Sequence, residues 1–130
     1  MNKVFVYGSL LKGMGNSRLL KDAKLLGRTK ITGFTMLDLG WFPGIVVNND
    51  TKTPVYGEVY EVDDETFDRL DHLEGYNPSN PESGLYNKTI VSTDFGDATV
   101  YVYNNRRYIG IDHIVYTGDW RSHYKSKFDE

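Results

Sequence analysis

Among the acids of this chain, Glu74 stands where a solvated charge does not belong. If Asp64 to Gly75 (DETFDRLDHLEG) is helical, then at about 100° per residue Phe67, Leu70 and Leu73 form an apolar stripe, and Glu74 projects between Phe67 and Leu70. Glu65 and Asp68 fall on the polar side and Asp71 at its edge, as ordinary solvated charges do. An inward carboxylate at a helix C-terminus is disfavoured in its ionised form by desolvation and by the negative end of the helix dipole. Its pKa is expected to rise toward neutrality, which is the property general acid/base chemistry needs. The plainer alternative is a frayed helix end: Gly75 can supply a left-handed C-cap, and the last turn can then swing Glu74 into water.

A second candidate is Tyr7-Gly8-Ser9-Leu10-Leu11-Lys12-Gly13, directly after an apolar run. Consecutive exposed amides after a glycine turn can cradle an anion such as a small carboxylate; an ordinary turn is the alternative. The segment is not a phosphate loop of the Walker type, because Met14-Gly15 stands where Lys-Ser or Lys-Thr is required. Nor is Ser9 set in the Gly-x-Ser-x-Gly elbow of a hydrolase nucleophile. His72, His113 and His123 show neither i, i+4 pairing nor acids at ligand spacing, so no metal site is expected, and they read as surface or structural residues. Asp63-Asp64-Glu65 lacks the alternation and glycine of a calcium loop and reads as helix capping. With no dinucleotide fingerprint either, the expected chemistry uses no cofactor.

The elements that must position these residues follow from periodicity and punctuation. Residues 3–7 predict a buried first strand ending at Gly8-Ser9, followed by a short helix from about Ser17, capped by Asn16 or Ser17. Leu25 to Leu39 predicts strand with an interruption at Gly33, Leu39 to Gly44 a loop, and Ile45-Val46-Val47 an apolar run. Val55 to Val62 alternates, with Val55, Gly57, Val59 and Glu61 on one face and Tyr56, Glu58, Tyr60 and Val62 on the other. Asp63 or Asp64 caps the helix that ends at Glu74. Tyr76 to Gly84, with two prolines and two asparagines, predicts a surface excursion beside that acid. Tyr86 to Thr93 and Ala98 to Tyr103 predict strands joined through Asp94-Phe95-Gly96-Asp97, Asn104 to Gly110 a loop, and Asp119 the cap of a short C-terminal helix. Many short strands with two or three helices indicate an α+β domain leaning toward a small barrel.

Composition bounds the function. A length of 130 residues suits one domain over the whole chain. With no cysteine there is no disulfide, thiolate catalysis or zinc ribbon. The chain runs from Met1 into the β-prone Val4-Phe5-Val6-Tyr7 without a charged leader or an apolar span, so a cytoplasmic protein without membrane partners is expected. A net charge of -3 argues against nucleic acid as a partner. The one compact basic cluster, Arg106-Arg107-Tyr108, reads as a solvated turn. Ten tyrosines suit either a pocket with apolar walls and polar tips or simply strands.

Val4-Phe5-Val6-Tyr7-Gly8-Ser9-Leu10, Phe42-Pro43-Gly44, Val55-Tyr56-Gly57-Glu58-Val59-Tyr60, Leu70-Asp71-His72-Leu73-Glu74-Gly75 and Tyr86-Asn87-Lys88 occur in an order that resembles the γ-glutamylcyclotransferase-like family, including the avirulence-induced-gene-like and γ-glutamylamine cyclotransferase proteins. Gly118-Asp119-Trp120 resembles the ending of its compact bacterial members. The resemblance implies a small mixed β-barrel with flanking short helices, whose cavity holds the γ-glutamyl group of a small-molecule amine or peptide. It implies release of 5-oxoproline as the substrate's own α-amine attacks its γ-carbonyl. Carried over by position, it assigns the substrate's α-carboxylate to the amides of Gly8, Ser9 and Leu10 with Tyr7 beside them, acid/base catalysis to Glu74, and a pocket wall to Tyr86. Glu82, in the long segment after Glu74, is the competing acid if the correspondence slips. A non-catalytic module that binds a carboxylated metabolite or peptide end in the same cavity is the alternative function.

Overall fold

The computed structural model describes residues 1–104 and 113–128. Five strands form the main sheet: β1 (Asn2–Val6), β2 (Lys24–Ile31), β5 (Val55–Val62), β6 (Tyr86–Thr93) and β7 (Gly96–Tyr103). Their order is β2-β5-β1-β7-β6, with β1 antiparallel to β5 and parallel to β7. β3 (Phe34–Asp38) and β4 (Pro43–Val47) make a separate antiparallel pair. The helices are α1 (Asp64–Leu73) and α2 (Trp120–Phe128), with single 3-10 turns at Ser17–Leu20 and Pro81–Ser83. None of the described helices is long and apolar enough to cross a membrane.

This is an α+β arrangement with a core made mostly of sheet. The expected barrel is not realised as a closed ladder, since β2 and β6 stand at opposite ends of the hydrogen-bonded order. The sheet curls instead. A bulge between Leu25 and Gly27 bends β2, Thr29 Oγ1 donates to Asp94 Oδ2 at 2.7 Å, and Lys3 Nζ donates to the Phe95 carbonyl at 2.8 Å. Side chains thereby tie the β6–β7 turn to both β2 and β1.

Central β1 buries Val4, Phe5 and Val6, and α2 contributes a fully buried Trp120. β5 has the predicted bounds. The predicted first strand is offset by one residue, and the helix expected from Ser17 is only a 3-10 turn without a side-chain cap bond. β4 begins at Pro43, inside the expected loop, because Pro43 pairs with Asp38 at the end of an antiparallel ladder. The expected loop from Asn104 to Gly110 and the Arg106-Arg107-Tyr108 cluster lie, apart from Asn104, outside the described residues.

α1 is punctuated at both ends. Asp63 is the N-cap, its Oδ1 accepting from the Thr66 amide at 2.7 Å. At the other end the Gly75 amide donates to the His72 carbonyl at 3.2 Å and the Tyr76 amide to that of Asp71 at 2.9 Å, the two bonds of a Schellman cap. Gly75 adopts φ +66°, and its carbonyl receives the Leu85 amide at 3.1 Å, so the excursion from Tyr76 to Gly84 begins and ends beside Glu74. A side chain at Gly75 meets both the left-handed backbone and the Leu85 Cβ, 3.2 Å from an added Cβ. Gly75→Ala is therefore expected to lower unfolding stability by about 1–2 kcal/mol, read from urea denaturation. An unchanged midpoint and slope would contradict the role of this cap.

Candidate active site

The C-terminus of α1, the turn after β1, the β3–β4 turn and the start of β6 converge on a cavity of about 240 Å³. This is below the roughly 300–1,000 Å³ of drug-sized sites and suits a small metabolite. Tyr7, Gly8, Ser9, Leu10, Glu74 and Tyr86, the six residues singled out from sequence, all line it. Glu82 does not; it is exposed beside Val47, Asn87 and Tyr103 on another surface. Asn16, Trp41, Phe42, Leu73, Leu85 and Tyr101 also line the cavity and were not anticipated as site residues. Leu73, predicted to join the core stripe, stands at the mouth instead.

Glu74 is the C-cap of α1, its amide bonded to the Leu70 carbonyl at 2.9 Å. Its side chain is partly buried, and among the described residues no group donates a hydrogen bond to its carboxylate. Burial pushes the carboxyl up to about 7. Three tyrosines lie close enough to feel its charge, yet each commits its hydroxyl proton elsewhere. Tyr7 donates to the Tyr101 carbonyl at 2.7 Å, Tyr86 to the Pro43 carbonyl, and Tyr101 to Asp71 Oδ1. Burial is the largest cause raising all three phenols, with the Glu74 charge contributing to each, so they remain neutral. The result is a desolvated carboxylate walled by tyrosines that do not protonate it.

The residue that fixes this geometry was misread from the sequence. Asp71 is not an ordinary solvated charge: it accepts from Tyr101 on β7 and from Lys88 Nζ on β6 at 2.8 Å. The Lys88 ammonium lies 4.4 Å from the ring centres of both Phe67 and Tyr76. One carboxylate thus ties the last turn of α1 to two strands. Helical angle alone could not reveal it, because the partners lie 17 and 30 positions away.

The turn after β1 supplies the complementary group. The Leu11 amide closes a turn onto the Gly8 carbonyl at 3.0 Å, while the amides of Gly8, Ser9 and Leu10 donate to no described residue. Ser9 Oγ accepts from Asn16 Nδ2 at 2.9 Å, which marks it as a brace of the turn. Gly8 is required for space, since an added Cβ would lie 2.7 Å from Pro43 Cγ. Beyond the turn, both polar groups of the Lys12 peptide are held. Its amide donates to Glu58 Oε1 at 2.9 Å, and its carbonyl accepts from Arg121 Nη2 at 2.6 Å. Arg121 in turn pairs with Glu58 Oε2 at 3.2 Å. This ion pair joins β5 to α2, and only the Glu-bearing strand motif signalled it in the sequence. The remaining histidines are peripheral: His72 and His113 are exposed, and His123 Nε2 lies 2.8 Å from Asp38 Oδ2, joining α2 to β3.

The raised pKa has a stability consequence with a definite sign. Between the ordinary value of 4.5 and about 7 the folded state holds a proton on Glu74 that the unfolded chain has released. Stability therefore declines as pH rises through that window and levels above it. Glu74→Gln removes the decline. The stability of the variant relative to the parent is expected to grow between pH 4 and pH 8 by at most about 3 kcal/mol, less for the partial exposure. A pH-independent difference in urea unfolding would contradict the desolvated carboxylate.

A family model described as γ-glutamyl cyclotransferase, AIG2-like, matches residues 4–122. The γ-glutamylcyclotransferase family protein YtfP of Escherichia coli (strain K12) is 37% identical over 118 residues, covering 91% of this chain and 95% of that protein. The γ-L-glutamyl-butirosin B γ-glutamyl cyclotransferase of Niallia circulans is 33% identical over 114 residues, covering 84% of this chain and 71% of the relative. The crystal structure of protein PH0828 from Pyrococcus horikoshii superposes with a TM-score of 0.78 at 29% identity, covering 98% of this chain and 96% of that one. The chain belongs to the γ-glutamyl cyclotransferase, AIG2-like family of enzymes.

Proposed function

We propose that the protein releases 5-oxoproline from a small γ-glutamyl amine or γ-glutamyl peptide by intramolecular attack, with Glu74 as the general acid/base. One observation carries this reading: a desolvated carboxylate shares a small cavity with three backbone amides, and among the described residues neither the carboxylate nor the amides have a hydrogen-bond partner. A γ-glutamyl group presents an α-carboxylate, an α-ammonium and a γ-carbonyl. The amides of Gly8, Ser9 and Leu10 would hold the carboxylate, and Tyr7 and Tyr86 would wall the glutamyl chain. A pure binding module gains nothing from a buried acid without a partner, which costs free energy in the empty fold.

Chemically, the α-ammonium first gives one proton to Glu74, and the neutral amine attacks the γ-carbonyl carbon. The C–N bond of the ring forms, a second proton leaves the attacking nitrogen, and the bond to the departing nitrogen breaks. Two protons have then passed from one nitrogen to the other. Glu74 can carry each in turn and finish as it began. A carboxyl poised near 7 suits both halves of this exchange. No external nucleophile is needed, and holding the chain folded for ring closure supplies much of the acceleration.

The test is 5-oxoproline release measured across a panel of γ-glutamyl compounds. Glu74→Gln should lower the rate at least about 10²-fold, the scale of general acid/base catalysis, while the exposed Glu82→Gln leaves it intact. Near-normal turnover by Glu74→Gln would overturn the assignment. In the same assay, amidating the substrate's α-carboxylate should cost about 1.5–3 kcal/mol of binding, the worth of a hydrogen bond to a charged group. Equal binding of acid and amide would remove the Gly8–Leu10 turn from recognition.

A further inference from the structure

The mouth of the cavity carries large apolar side chains from three elements. Trp41 is 76% exposed, Leu85 45% and Leu73 40%. Single exposed apolar residues need no explanation, but three at one opening form a patch continuous with the cavity. Trp41 is also held at this opening by a built turn. The Leu39 amide donates to the Phe42 carbonyl at 3.0 Å, and the Gly40 amide to Asp38 Oδ1 at 2.8 Å. The next residue, Pro43, accepts the Tyr86 hydroxyl and packs against Gly8. Leu73 and Leu85 flank the Schellman cap that sets Glu74.

We infer that the rim of Trp41, Leu73 and Leu85 selects the departing amine, and that this amine bears an apolar alkyl or aromatic group. The inference rests on the cyclotransferase reading of the cavity. With the α-carboxylate at the buried Gly8–Leu10 turn and the γ-carbonyl near Glu74, whatever is attached to the γ-nitrogen extends toward the mouth. There it meets an indole and two leucyl side chains. Among the described lining residues Glu74 is the one charged side chain, so a departing group with its own carboxylate would meet a like charge there. An apolar group would instead cover surface now facing water.

The experiment compares kcat/KM for 5-oxoproline release from L-γ-glutamyl methylamide, n-butylamide, benzylamide and γ-glutamylglycine. The benzylamide and butylamide should exceed the methylamide by about tenfold or more, as extra apolar groups in a pocket do, and γ-glutamylglycine should be the poorest. Trp41→Ser and Leu85→Ser, both at exposed positions, should each reduce the benzylamide-to-methylamide ratio. Equal kcat/KM across the four, or a ratio unchanged in both variants, would overturn the rim while leaving the cyclotransferase reading intact. No 5-oxoproline from any compound would overturn that reading and the rim with it.

Discussion

Asp71 accepts from Tyr101 and Lys88, and through those two bonds the last turn of α1 is tied to β7 and β6. Lys88 is flanked by the rings of Phe67 and Tyr76, which precede and follow the turn it anchors. This fastening decides where Glu74, three residues further on, must point. A frayed helix end would let the carboxylate reach water and recover its ordinary pKa. The Schellman cap at Gly75 and the Leu85 bond to the Gly75 carbonyl oppose fraying from the other side. The raised pKa of Glu74 is thus a property of two well-satisfied neighbours, Asp71 and Gly75, rather than of Glu74 alone.

The same logic of committed donors runs through the cavity. Tyr7, Tyr86 and Tyr101 have one hydroxyl proton each, and all three spend it on carbonyls or on Asp71. Had one donated to Glu74, the ionised carboxylate would be stabilised and its pKa drawn down. Among the described residues the amides of Gly8, Ser9 and Leu10 are left over, because the turn is stabilised through its carbonyls, through Asn16 and through the grip on Lys12. Glu58 and Arg121 extend that support to α2. Both helices therefore bear on the cavity through backbone they hold in place, α1 at Glu74 and α2 at the turn after β1.

Much of this was legible in the sequence, for local reasons. The period of two in Val55 to Val62, the Asp63 cap and the Glu-Gly helix ending each depend on neighbours within a few positions, and the inward angle of Glu74 follows from helix geometry. The turn after the first strand was recognisable from Gly8-Ser9 and its place behind an apolar run. What escaped depends on pairings between distant segments. Asp71 looked solvated because a helical wheel gives an angle and no partner. The parallel neighbour β7, which supplies Tyr101, is not signalled by anything near β1. Pro43 was assigned to a loop, although it pairs in β4 and anchors Tyr86. Sheet closure is likewise a long-range property, and the observed sheet curls without it.

Glu74 is a desolvated acid without a hydrogen-bond donor among the described residues, and its own titration tests this most directly. In protein labelled with 13C at the glutamate side-chain carboxyl, the Glu74 resonance, identified by its loss in Glu74→Gln, should titrate with a midpoint near 7. A midpoint near the ordinary 4.5 would mean that the carboxylate is solvated or bonded in the folded protein, and the account of the site would fail.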